Sequence, residues 1–410
     1  MPEAPPKLDG GDTAWLLIST ALVLLMTPGL ALFYGGMVRK KNVLSTIMHS
    51  LFSLALISVQ WVVVGYSLVF GATHKGLIGG FELCFLKGVA YQQKGTTPHL
   101  AFMAFQMMFA GITPALITGA FAERIKFSSY ALFILLWSTL VYDPVAHWVW
   151  ADGGWLLKRG ALDFAGGTVV HLTAGVSALV CAKMIGKRLG YPGPGMIPHN
   201  LTMTLTGAGL LWFGWFGFNA GSALVAGQNA ALALVTTHVA ASAGALGWLA
   251  IETRHRGKPS ALGAASGLVA GLVAITPAAG YVAPWASIPI GFAAGVICYL
   301  AVLQKNRFGY DDSLDVFGVH GVGGMLGALL TGVFAQKALN VSGNDGALFG
   351  NMKQLGVQAL GIVAAAAYTA IVTALIWKLV SAITGGARVA EPDEREGLDV
   401  ALHGEEGYVG

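Results

Sequence analysis

Residues Asp163 to Gly175 read DFAGGTVVHLTAG, an apolar run that places one histidine, His171, among residues that otherwise avoid ionisable groups. Asp163 stands just before the run and can accept hydrogen bonds from its free backbone N–H groups. His171 follows eight residues later. On a helix rising ~1.5 Å per residue that puts the imidazole roughly 12 Å beyond the cap. Such a depth lies within a bilayer's hydrocarbon core, about 30 Å thick. A second histidine, His320, sits in a similar run, DVFGVHGVGG, again with an aspartate, Asp315, shortly before it. The two stretches read as a pair.

The rest of the chain supplies the membrane that this depth requires. Of 410 residues, 55% are hydrophobic and 11% charged, against roughly 25% charged in an ordinary soluble domain. Apolar stretches long enough to cross a bilayer recur from Ala14 to Ser381, which leaves no room for a large soluble domain. Cys84, Cys181 and Cys298 are scattered, so neither a disulfide framework nor a metal site is implied. The formal charge of +4 is modest and sits mainly in short loops, where it speaks to topology and not to nucleic acid. The beginning, MPEAPPKLDGGD, has no basic region leading into a short apolar core, so a signal peptide is not expected there.

Hydropathy predicts an all-α polytopic membrane protein with eleven spans, near 13–34, 43–70, 99–121, 128–150, 163–186, 199–219, 229–252, 260–276, 284–304, 314–335 and 355–384. Residues 1–384 then form the membrane domain and 385–410 a C-terminal tail. With the N-terminus outside, two thirds of the 24 lysines and arginines fall on the inside, which favours N-out and C-in. Lys158 and Arg159 run against the rule. Many of the 57 glycines lie within the spans, where small residues allow close helix approach. His171 and His320 fall on the fifth and tenth spans. Five spans per half inverts the second copy, so an inverted repeat with one last helix is expected, its interface near the midplane. Pro28, Pro114 and Pro144 interrupt spans and predict breaks facing other helices or a cavity.

Ionisable groups inside a membrane are costly and commonly line a substrate or proton path. That favours a functional role for His171 and His320, whereas His49, His147 and His238 read equally well as satisfied core residues. Two neutral imidazoles in contact share one proton between ring nitrogens, and a further proton would bury a charge. Phe105 and Phe109 lie four apart on one helix face. Trp150 and Phe218 end spans at the same predicted outer surface, with Ser222 just beyond. Trp150 alone reads as well as a belt anchor; together these rings could cage a small cation. Asp163 reads first as a helix cap and second as a direct cation ligand. Asp311, Asp312 and Asp315 read as caps or solvated loop residues. The tail reads either as a disordered end or as a docked segment.

At these residues the chain resembles the ammonium transporter family, with its methylammonium permease and Rhesus relatives, in a bacterial-type form. The strings that carry the likeness are GLALFYGGMVRKKN, AFAERIKFS, DPVAHWVW, ALDFAGGTVVH, WFGFNAGS, DVFGVHGVGG, EREGLD and HGE, spread over nearly the whole chain. The resemblance implies a homotrimer in the cell's inner (plasma) membrane, each subunit with its own narrow pore for ammonium or methylammonium. It implies an outer site of Trp150, Phe109 and Ser222, a gate of Phe109 stacked with Phe218, and Phe105 as a further lining residue. His171 and His320 are implied to be the twin histidines and Asp163 the support of the outer site. It further implies regulation by a PII-type signalling protein at the cytoplasmic face, with no cofactor and no metal. No sensor-type signalling domain is expected after the tail.

Three other classes compete with transport. A sensor would bind ammonium with little flux, and a neutral gas channel would move ammonia alone. An intramembrane metalloenzyme would need a close ligand set such as HExxH, which the sequence lacks.

Overall fold

Among the described residues, ten helices of the computed structural model are long and apolar enough to cross a membrane. The model describes residues 7–193 and 196–408; the first six residues, half of the stretch on which the absence of a leader was read, lie outside the described residues. In chain order they are α1 (Gly10–Met37), α2 (Lys40–Phe70), α3 (His99–Ala120), α4 (Phe127–Lys158), α5 (Gly167–Ile185), α6 (Leu201–Ala220), α7 (Gln228–Arg256), α9 (Pro284–Arg307), α10 (Phe317–Phe334) and α11 (Met352–Ile383). The eleventh, α8 (Ala261–Ile275), has 15 residues, or about 22 Å at ~1.5 Å per residue. It is the shortest span, and it ends within one residue of the predicted 260–276 on each side. The end of the bundle that bears the C-terminal tail is called the tail side, and the opposite end the far side.

Several spans contain one wide π turn, and two of these hold the histidines: Gly167–Leu172 in α5 and Phe317–Gly321 in α10. Such turns slip the ladder by one residue, re-aim a side chain and concentrate at functional sites. A third wide turn, Ser138–Tyr142, leads into Pro144. Proline forfeits its bond to the carbonyl four residues back. Here that carbonyl, on Leu140, accepts the Tyr368 hydroxyl at 2.8 Å.

α5 and α10 cross where each is stripped of side chains. A Cβ on Gly175 would lie 2.1 Å from the Gly321 nitrogen, and one on Gly324 would lie 2.7 Å from the Gly167 carbonyl. Each histidine turn packs on the helix that continues from the other, the reciprocal contact that a two-fold relation between the halves requires. Asp163 and Asp312 fit the same relation. Each precedes its histidine by eight residues, and each takes the N–H five residues on, Thr168 at 2.9 Å and Phe317 at 2.8 Å. The aspartate that answers Asp163 is therefore Asp312, where the sequence pairing had Asp315. Asp315 instead has a positive φ of 61° and forms an ion pair with Lys305.

Loop solvation does not describe Asp311 or Asp312, which are fully buried. Asp311 belongs to an ion-pair chain across the tail side: Arg39 to Glu123 at 2.9 Å, Glu123 to Arg188 at 3.1 Å, and Arg188 to Asp311 at 2.9 Å. Beside it, buried Arg124 donates to the carbonyls of Ala120, Ala122, Gly186 and Asp311 and to the Ser313 hydroxyl, which accounts for its five N–H groups. Burial alone would raise the Glu123 and Asp311 carboxyls. The guanidiniums of Arg188 and Arg39 hold Glu123 below the ordinary range, and those of Arg188 and Arg124 do so for Asp311. A lowered folded value makes the stabilisation complete above the unfolded carboxyl values, near 4, and lost as pH falls through the folded ones. Thermal unfolding in detergent is expected to hold its midpoint down to about pH 5 and then fall. Asp311→Asn should lower the midpoint at neutral pH and flatten that acid slope; an unchanged slope would refute the assignment.

The tail is docked, which resolves the alternative left by its composition. The Asp399 carboxylate accepts the N–H groups of Leu44 and Ser45 at the start of α2, at 3.0 and 2.8 Å. Glu394 takes the Leu189 N–H and the Arg388 guanidinium, both at 2.7 Å. The Tyr408 hydroxyl meets His199 at 3.0 Å.

Candidate functional site

Three cavities follow one another through the bundle, the first bounded by α2, α3, α4 and the loops that hold Phe164 and Ser222, and the other two lying among α1, α3, α5, α6, α8 and α10. The first, on the far side, has a volume of about 130 Å³ and is walled by Phe109, Trp150, Phe164, Ser222 and Gln106 among others. The second is about 10 Å³ and is lined by apolar side chains such as Leu30, Ile112 and Phe218, with Trp215, His171 and His320. That is about the room of a single water. The third, about 40 Å³, begins at His320 and opens past Ser266 and Asp315 toward the tail side.

Phe109 lines only the first of these cavities and Phe218 only the second. Their rings stack at 4.1 Å with planes 26° apart, so the pair forms the partition between a roomy, polar-edged chamber and a dry conduit. Trp150 stands edge-to-face on Phe109 at 6.0 Å. Its indole N–H is committed to the Asp163 carbonyl at 2.9 Å, which fixes the ring against the start of α5. The Ser222 hydroxyl donates to the Phe218 carbonyl at 2.8 Å, so its hydrogen is used and its lone pairs remain.

Asp163 spends its carboxylate on the helix. Its two oxygens accept the N–H groups of Gly166, Gly167, Thr168 and Val169 at 2.6 to 3.1 Å. It does not line the first cavity, whereas its neighbour Phe164 does. Phe105 packs against Phe109 at 5.0 Å from behind and lines none of the three cavities, a placement different from the lining role expected for it. The reason is helical: Gln106, three residues before Phe109, takes the adjoining place on the wall.

His171 and His320 meet through their Nδ1 atoms at 3.2 Å, with ring planes 30° apart. Two such nitrogens approach only if one carries the proton and the other accepts it. The Trp215 ring lies nearly parallel to His171 at 5.3 Å and is held by its own N–H on Thr276 at 3.0 Å. Trp215 was not singled out from sequence, although it lies three residues before Phe218 and so on the same helix face. Gln106 carried a signal too, as a lone amide in an apolar span.

The family model described as Ammonium Transporter Family matches residues 14–408. The chain belongs to the ammonium transporter family. The ammonium transporter of Bacillus subtilis is 51% identical over 402 residues, which cover 97% of this chain and 98% of that protein. Among solved structures, Saccharomyces cerevisiae Mep2 superposes with a TM-score of 0.89 at 38% identity, covering 94% of this chain and 89% of Mep2. A structure titled Sensor Amt Protein also reaches 0.89, at 31% identity, with coverage of 96% and 98%. The chain is thus a multi-pass membrane protein of a transporter family.

Proposed function

We propose that this ammonium transporter binds its cation in the far-side chamber, takes a proton from it at the Phe109–Phe218 partition, and conducts ammonia past the histidine pair. The observation that carries the reading is that partition, with an aromatic chamber on one side and a conduit about one water wide on the other. The faces of Phe109 and Trp150 attract a cation, worth ~0.5 to 2 kcal/mol each, and Ser222 offers lone pairs. Asp163, tied to Trp150 through its carbonyl, supports the site at a distance. Beyond the partition a cation would lose its water for apolar walls, at a cost of several kcal/mol. Neutral ammonia pays far less. His171 and His320 can pass the displaced proton along their shared hydrogen bond. Potassium has no proton to give up and stops at the partition.

The assembly follows the family likeness and gains support from one feature. His238 stands exposed on α7, well inside the span, and a polar group facing lipid at that depth is unfavourable. A homotrimer covers such a face. The far side is taken as outside, since two thirds of the cationic side chains lie toward the tail side. That side, with its docked tail, is where a PII-type signalling protein would act in the inner membrane.

The reading is tested by uptake of labelled methylammonium into liposomes. Uptake should be faster with the protein than without it. Equal rates would defeat the transport reading and leave that of a sensor.

A further inference from the structure

We propose that Gln106 is the second oxygen acceptor for the cation in the far-side chamber and sets its preference among amines. The inference rests on the transport reading and adds a specificity-determining residue to it. Eight side chains wall the chamber: Phe70, Phe102, Phe109, Trp150, Phe164 and Leu224 offer ring faces or alkyl carbon, and the other two are Ser222 and Gln106. The one N–H among the rings, on Trp150, is already bonded to the Asp163 carbonyl. The oxygen acceptors among these side chains are therefore Ser222 Oγ and Gln106 Oε1. The Gln106 oxygen is buried and has no hydrogen-bond partner among the described residues.

A buried carbonyl oxygen without a donor is unfavourable and is satisfied by whatever donor the chamber admits. Ammonium brings four. Two of its N–H groups can meet Ser222 and Gln106 while the other two face the rings, so the cation is held by two directed bonds and a diffuse attraction. Methylammonium brings three N–H groups and a methyl, which draws part of its binding from the apolar wall that Gln106 does not supply. Potassium gains little from two neutral oxygens, since it needs a fuller shell to replace its water. Gln106 lies one turn before Phe109 on α3, so the acceptor sits at the threshold of the partition, where it orients the cation before the proton leaves.

Two variants test this, each first checked for the parent's elution in detergent. Gln106→Leu keeps the size of the side chain and removes the acceptor. It should raise the half-saturating ammonium concentration about tenfold, with a smaller rise for methylammonium, so that their ratio moves in methylammonium's favour. Gln106→Glu restores an acceptor with charge and should bring ammonium half-saturation back to the parent value or below, with potassium now competing. An unchanged half-saturation in Gln106→Leu would overturn the inference, as would equal losses for both amines, the mark of a merely structural role. No ammonium-dependent flux in the parent would instead overturn the transport reading, and this inference with it.

Discussion

His171→Ala should lower the ratio of ammonium to potassium flux by about tenfold or more, equivalent to ~1.4 kcal/mol of discrimination, without unfolding the protein. The space around the histidines is about 10 Å³ and otherwise apolar. Replacing an imidazole by a methyl group opens room for one or two waters, each occupying roughly 30 Å³ in the liquid. It also leaves the Nδ1 of His320 without its partner at 3.2 Å, a polar atom that recruits such water. A wet conduit no longer demands that a cation be stripped, so potassium gains a path that it lacks in the parent. Folding should survive because the helix crossing rests on glycines and not on this ring. Flux of both ions measured in proteoliposomes decides the matter: unchanged rates for both would remove the pair from the mechanism.

Gly175→Val is expected to have the larger effect on the fold. A Cβ there lies 2.1 Å from the backbone nitrogen and 2.2 Å from the Cα of Gly321. Backbone atoms cannot rotate away as a flexible side chain can, so α5 and α10 must separate. Overpacking of this kind costs typically 1–3 kcal/mol, about as much as marginal proteins can bear. Separation also breaks the Nδ1 contact one turn away, so transport should fall even in molecules that fold. Gly356→Ala is the control, since nothing lies within 4 Å of a Cβ at that position of α11. The prediction is a lowered unfolding midpoint and lost transport for Gly175→Val, with Gly356→Ala unchanged. Two variants with equal midpoints would show that the crossing yields more easily than its geometry implies.

The residues that announced the membrane fold were those whose physics is local. Apolar length marks spans, and the two histidines stand out because an ionisable group at depth needs a reason. What stayed hidden depends on distance along the chain. Arg39, Glu123, Arg188 and Asp311 lie in four separate loops, and nothing local tells Glu123 that two guanidiniums will reach it. Asp315 was chosen as the counterpart of Asp163 because it lies nearer His320, whereas the equal spacing of eight residues points to Asp312. The wide turns at both histidines leave no mark in hydropathy, which registers length and not winding. Phe105 and Gln106 show the same limit at the site. The resemblance put Phe105 on the wall, where the rotation of α3 places the amide of Gln106.

The most direct test of the account is the current across proteoliposomes of the purified protein after a step of ammonium, with an equal step of potassium as control. The account predicts a current with ammonium and none with potassium, because the cation is bound, divided and moved with its charge. Alkalinisation of the lumen without a current would contradict it, for then ammonia alone crosses and the proton stays outside.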